Sequence, residues 1–233
     1  KNLLKLADAI IVNSYDFKHE LRKKFNLKTL CIFNPLNKKE IIFKSKIKNK
    51  MIYKNNNKLK LINVARFTDQ KDHMTLLKAA KILKKRINFQ LCIVGRGVNK
   101  AKMENYIKEN NLKEFVKILN FTNNPFPLIK QADVFVLTST FEGLPNVLLE
   151  SLALKKFVIS SNCPTGPREI LDNGKNGFLF KVGDFKGLSN KITNYYSNKN
   201  ELKSMIIRGH KRLYRFDFTS NLEKYYLALK KFL

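Results

Sequence analysis

The sequence predicts an α/β protein in which a parallel sheet is covered by helices on both faces. Three observations predict it. Short apolar runs at Leu59–Ala65, Phe89–Val94, Phe115–Leu119, Val134–Leu137 and Phe157–Ser160 have the length and side chains of buried strands. Stretches of helical length separate most of them, and strands alternating with helices imply a parallel sheet. Turn residues follow several strands: Gly95-Arg96-Gly97, then Gly143 with Pro145. They mark the carboxyl ends of the strands, where such sheets bind ligands.

In chain order, Ala7–Asn13 reads as a strand. A helix over Ser14–Phe25 follows, with Ser14 as its N-cap, and then a strand over Thr29–Phe33. Pro35 forces Asn34 out of helix and marks a break. Residues 38–58 are lysine-rich, run into Asn55-Asn56-Asn57, and read as a crossing linker or exposed excursion, disordered in part. From Leu59 the alternation is regular. Helices are expected up to Lys85, over Lys100–Asn110, at Pro125–Gln131 and from Pro145 to Leu154. Gly174–Gly177 is a turn and Phe178–Lys181 a short strand. Asp184–Asn198, Glu201–Tyr214 and Thr219–Phe232 read as closing helices, with Thr219 capping the last.

The chain has 233 residues, 44% of them hydrophobic, enough for one large domain or one and a half. No apolar run approaches the ~20 residues of a membrane span. It begins with Lys, shows no signal peptide, and is expected to be a piece of something longer. Cys31, Cys92 and Cys163, like His19, His73 and His210, are scattered without metal-ligand spacing, so no metal site is expected. The cysteines fit reduced thiols of a cytoplasmic protein. Net charge is +28. Three readings of that charge stand: attraction to an anionic membrane surface, nucleic-acid binding, or compositional drift toward Lys, Asn and Ile. No RNA-recognition or zinc-finger motif supports nucleic acid.

The chemistry gathers around Asp133–Glu150, a strand, a turn and a helix. Gly143 permits a tight turn, and Pro145 suits the first helical position. Glu142 lies in the turn and Glu150 in the second helical turn. Free amides at Leu144–Val147 favour an anion such as phosphate. Arg66 and Lys71 follow the Leu59 strand at the same sheet edge, where a guanidinium and an ammonium can clamp a diphosphate. Carboxylates for sugar hydroxyls beside cations for phosphate suggest a nucleotide-sugar site.

Glu142-x7-Glu150 with Gly-Leu-Pro-Asn inside it resembles the signature of retaining glycosyltransferase family 4, which has the GT-B fold. The resemblance covers nearly the whole chain and is strongest over Leu59–Val182. It implies a Rossmann-like, donor-binding domain over residues 59–214. Residues 1–37 would be the end of an N-terminal acceptor domain, 38–58 a linker, and 215–233 a helix returning toward the first domain. It implies Arg66 and Lys71 on the donor pyrophosphate, Glu142 on the donor sugar, and Glu150 on the ribose. Gly143, Leu144, Pro145, Asn146 and Val147 would supply the helix start. Gly95, Asn120 and Phe121 would lie near the nucleoside. Phe121 either stacks on the base or packs. Gly166, in a Gly-Pro-x-Glu-Ile-like segment, would let backbone approach the ligand, while Arg168 and Glu169 cap or pair structurally. Ala65 departs from the glycine that often precedes the arginine.

The implied activity is metal-independent, retaining transfer of a hexosyl-type sugar from a nucleotide-diphosphate donor, UDP-linked by preference. The acceptor would be a glycan or a polyprenyl-linked lipid at the inner face of the cytoplasmic membrane. The missing Asp-x-Asp motif favours metal-free chemistry, and no cofactor is expected. Two other readings stand beside it: a donor-binding fragment without turnover, and a basic protein adhering to membrane or nucleic acid.

Overall fold

The computed structural model describes residues 3–48, 51–53 and 57–232. It opens with a small parallel pair, β1 (Ile11–Val12) and β2 (Leu30–Cys31), joined by α1 (Tyr15–Phe25). The expected strands there were longer. Among the described residues each pairs only with the other, through Ile11 with Leu30 and Val12 with Cys31. Ser14 caps α1, accepting from the Phe17 amide at 3.1 Å.

Residues 38–58, expected to be a crossing linker or exposed excursion, begin with α2 (Lys38–Lys44), capped by Asn37. Ile41 is buried, and so are Ile52 and Tyr53 further on. The Tyr53 hydroxyl donates to the Leu61 carbonyl at 2.8 Å. Sparse apolar residues thus pin a polar segment to the core. Asn55 and Asn56 lie outside the described residues.

The main sheet follows in chain order. β3 (Leu59–Val64) leads through a 3-10 turn at Asp69–Lys71 to α3 (His73–Leu83). Then come β4 (Phe89–Gly95), α4 (Lys100–Glu109), β5 (Val116–Asn120), α5 (Phe126–Gln131) and β6 (Val134–Leu137). They are followed by α6 (Asn146–Ala153), β7 (Phe157–Ser161), α7 (Pro167–Ile170) and β8 (Phe178–Phe180). The order is β5-β4-β3-β6-β7-β8 and every pairing is parallel. The sheet is therefore the expected one, and its order reverses between β3 and β6. Crossovers diverge there and leave a crevice at the carboxyl ends of the two strands.

Alternation along the strands feeds two cores. Leu61, Leu91 and Ile93 face one layer with Leu76, Leu77 and Leu188, while Ile62, Cys92 and Phe135 face the other with Leu148, Leu149 and Leu152. Burial on both faces explains why the strands read as continuous apolar runs.

The chain closes with α8 (Phe185–Ser197), α9 (Lys203–Lys211), a 3-10 turn at Arg212–Phe216 and α10 (Phe218–Leu229). Asp217, not Thr219, caps α10, by accepting from the Ser220 amide at 3.0 Å. The Tyr225 hydroxyl of α10 donates to the Ile32 carbonyl at 3.3 Å, next to β2. Phe33 and Phe216 pack nearby with tilted rings, their centroids 4.8 Å apart.

Phe157 joins three elements. Its ring lies 4.9 Å from Phe178 and 4.5 Å from Tyr195. Phe157→Ala should lower unfolding stability by about 3–5 kcal/mol in a urea titration. A loss below about 1 kcal/mol would show that this junction is not a tightly packed core.

Candidate functional site

Two loops meet over the crevice. One leaves β3 and carries Arg66 to Lys71; the other leaves β6 and carries Thr138 to Gly143. Backbone and hydroxyl bonds sew them together. The Thr138 hydroxyl donates to the Lys71 carbonyl at 2.8 Å, the Thr140 amide to the Gln70 carbonyl at 2.8 Å, and the Gln70 side chain to the Phe141 carbonyl at 2.9 Å.

Across this seam Lys71 Nζ lies 2.5 Å from Glu142 Oε1. The Ser139 hydroxyl donates to the same oxygen at 2.6 Å. The two side chains are only 14% and 9% exposed, so solvent screens the pair far less than a surface ion pair. Beneath it, the Asn63 amide donates to the Val136 carbonyl at 2.8 Å, and Asn63 Oδ1 lies 3.1 Å from His73 Nε2. That arrangement leaves His73 Nδ1 as a buried acceptor with no partner among the described residues. Burial first, and the nearby Lys71 second, push the imidazole down to about 4.

The start of α6 faces the same crevice. Pro145 is its N-cap residue, one position before the expected site, and no side chain caps the helix. The Asn146 and Val147 amides belong to its first turn and stay available to an anion. Leu144 is buried and offers only backbone to the crevice. Glu150 has no hydrogen-bond or ionic partner among the described residues, and burial pushes its carboxyl from 4.5 up to about 7. Arg66 is exposed and likewise unpartnered among them.

Other expected residues sit differently. Gly95 follows from packing: a Cβ there would collide with the Ala65 carbonyl, so the glycine brings the β3 and β4 ends together. Asn120 accepts from Lys100 Nζ at 3.3 Å. Phe121 is half exposed and carries the Arg96 guanidinium 4.5 Å above its ring. Gly143 does not need glycine for its backbone, and a Cβ there would make only ordinary contact with Asn13, at 3.5 Å. Gly166 has φ +88°, and its Cβ would collide with the Gly143 carbonyl. Its close approach is thus to the Glu142 loop. Arg168 and Glu169 pair structurally, with Asp16 and with the start of α1.

Sequence reasoning missed Ser139, Asn34 and Thr165. Asn34 Nδ2 donates to Asn146 Oδ1 at 2.8 Å and to the Leu144 carbonyl at 3.3 Å. Thr165 donates through its amide to the Glu142 carbonyl at 3.0 Å. The Asn34-Pro35 break was visible in sequence, but not its reach across 112 residues.

A model of the family described as "Glycosyl transferases group 1" matches residues 44–212. The chain belongs to this family. Its GT-B relatives extend well beyond it. An uncharacterized glycosyltransferase of Methanocaldococcus jannaschii, MJ1059, is 36% identical over 178 residues, covering 73% of this chain and 44% of that protein. A Campylobacter jejuni protein is 32% identical over 209 residues, covering 83% and 54%. It is named N-acetylgalactosamine-N,N'-diacetylbacillosaminyl-diphospho-undecaprenol 4-alpha-N-acetylgalactosaminyltransferase. The chain thus spans about half the length of these curated relatives. Among solved structures, Anabaena Alr3699/HepE in complex with UDP and glucose superposes with TM-score 0.82 at 18% identity, over 97% of this chain and 64% of that one. That likeness shows a shared glycosyltransferase fold.

His73 and Glu150 titrate in opposite senses. A His held down to about 4 adds stability above 6.5 that is lost as pH falls toward 4. A Glu raised to about 7 adds stability below 4.5 that is lost as pH rises through 7. Between about pH 5 and 6.5 the two slopes oppose each other. Chemical unfolding across this window should show stability rising with pH in Glu150→Gln and falling with pH in His73→Gln. Identical slopes in both variants would contradict the assigned environments.

Proposed function

We propose that this chain is the donor-binding part of a retaining, metal-independent glycosyltransferase of family 4, using a UDP-linked hexose-type sugar. The observation that carries the proposal is the Lys71–Glu142 pair, set at the sheet's switch point beside the uncapped start of α6. The diphosphate would lie against the Asn146 and Val147 amides, with Arg66 and Lys71 supplying positive charge. Glu150 would accept from the ribose hydroxyls; its lack of a partner supports this. Glu142 would hold the donor-sugar hydroxyls and steady positive charge at the anomeric carbon. Gly95, Asn120 and Phe121 would border the nucleoside, and Gly143, Leu144, Pro145 and Gly166 would shape the loop. The ligands of HepE, UDP and glucose, support the donor class.

In this reading the bond between the anomeric carbon and the diphosphate oxygen breaks, and the acceptor hydroxyl oxygen attacks from the same face. Its proton passes to the departing diphosphate, and configuration is retained. Arg66, Lys71 and the helix amides stabilise the negative charge that grows on the leaving group, so the scheme needs no metal. Loss of one such preorganised donor typically lowers kcat by about 10²–10³.

The whole protein would supply the acceptor side. Residues 1–37 would end an N-terminal acceptor domain, and turnover would require the remainder of that domain. The undecaprenol-linked substrate in the Campylobacter relative's name supports a glycan or polyprenyl-linked acceptor. A peripheral position at the inner face of the cytoplasmic membrane fits the +28 charge and the exposed Phe43 and Ile47 among Lys38, Lys39, Lys46 and Lys48. No helix among the described residues is long and apolar enough to cross a membrane.

Two measurements test the proposal. In calorimetric titration with EDTA present, UDP should bind in preference to GDP, and Lys71→Ala and Arg66→Ala should each weaken binding at least about tenfold, or 1.4 kcal/mol. A folded chain that binds neither nucleotide would contradict the donor-site reading. Co-sedimentation should show binding to vesicles of anionic lipid that falls sharply in Phe43→Ser/Ile47→Ser; equal binding by this variant would remove the peripheral-contact element.

A further inference from the structure

The β1-α1-β2 unit and the Glu142 loop hold each other at several points. The Tyr15 and Asp16 amides, at the start of α1, donate to Glu169 Oε2 at 2.9 and 3.4 Å. Amides at a helix start are usually met by a local side chain or by water. Here, beyond Ser14, they are met by a carboxylate 154 residues along the chain. Arg168 lies 3.7 Å from Asp16 and strengthens the same contact.

Glu169 sits in α7, whose N-cap residue is Gly166. Gly166 packs on the Gly143 carbonyl. One residue earlier, the Thr165 hydroxyl donates to the Glu142 and Gly143 carbonyls at 3.0 and 3.1 Å, and the Glu142 amide donates to the Pro164 carbonyl at 2.7 Å. From the other side, Asn34 holds Leu144 and Asn146. The loop that carries Glu142, and the start of α6, are therefore gripped between two anchors. Both anchors lead to the first unit.

We propose that Glu169 is a positioning residue that couples the start of α1 to the Glu142 loop. The carboxylate fixes α7 against α1. Through Pro164, Thr165 and Gly166, α7 then sets the backbone of Glu142 and Gly143. The geometry stands by itself; its consequence for the donor rests on the function proposed above. Coupling is reciprocal, so a ligand that orders the Glu142 loop must also order the start of α1. A cap that merely stabilised α1 would not transmit this.

Amide hydrogen exchange of this chain, read on peptides covering 14–18 and 140–148, tests the proposal with and without UDP. Without ligand, Glu169→Ala should speed exchange at least fivefold in both peptides. Glu169→Gln, whose side-chain oxygen can accept the same bonds, should stay within twofold of the wild type. Acceleration confined to 14–18 would overturn the coupling. In the wild-type chain, UDP should slow exchange at 14–18 at least threefold, although no donor group is expected to touch those residues. UDP that protects 140–148 and leaves 14–18 unchanged would also overturn it. If UDP does not bind, the donor reading fails, and the ligand-free comparison still decides the role of Glu169.

Discussion

The site depends on the ion pair between Lys71 and Glu142. Each side chain alone would be a largely desolvated charge, an arrangement that proteins tolerate only with a partner. The pair needs β3 and β6 adjacent, and the sheet order makes them so. It also needs both loops to turn toward each other, which the Thr138, Thr140 and Gln70 bonds enforce. Ser139 and the His73–Asn63 pair then fix the base on which it rests. The reversal of strand order thus becomes a local concentration of charge at the mouth of a crevice.

Next to this fixed pair stand groups with no partner among the described residues: the Arg66 guanidinium, the Asn146 and Val147 amides and the Glu150 carboxyl. Fixed charge beside unsatisfied polar groups is the arrangement that a polar ligand completes. The fixed pair beside Arg66, these amides and Glu150 suits the proposed donor, which brings two phosphates and several hydroxyls. The first unit enters this economy of contacts through Asn34 and Glu169, which reach the loop from opposite sides.

Much of this was legible in sequence, because the informative features are local. Arg66 and Lys71 just past one strand, and Glu142 and Glu150 around one turn, can be assigned from strand ends and spacing alone. The buried strands announced themselves because both faces of the sheet are covered. What sequence did not reveal depends on distant partners. Asn34 reads as a residue before proline, and Glu169 as a structural cap or pair whose partner sequence does not name; their roles exist only once chain segments more than a hundred residues apart meet. The helix and core contacts of the segment at 38–58 were not legible, because three buried side chains, Ile41, Ile52 and Tyr53, anchor a stretch whose composition is that of a solvated loop. Gly166 adds a contact that sequence did not show: a glycine beside a site can serve loop-to-loop packing as well as contact with a ligand.

The central claim is that one site, built on the Lys71–Glu142 pair, receives the donor nucleotide. A crystal structure of this chain with UDP tests it most directly. The account predicts the diphosphate against the Asn146 and Val147 amides, within reach of Arg66 and Lys71, with the ribose hydroxyls on Glu150. A nucleotide bound elsewhere, or bound in the crevice without touching these groups, would contradict it.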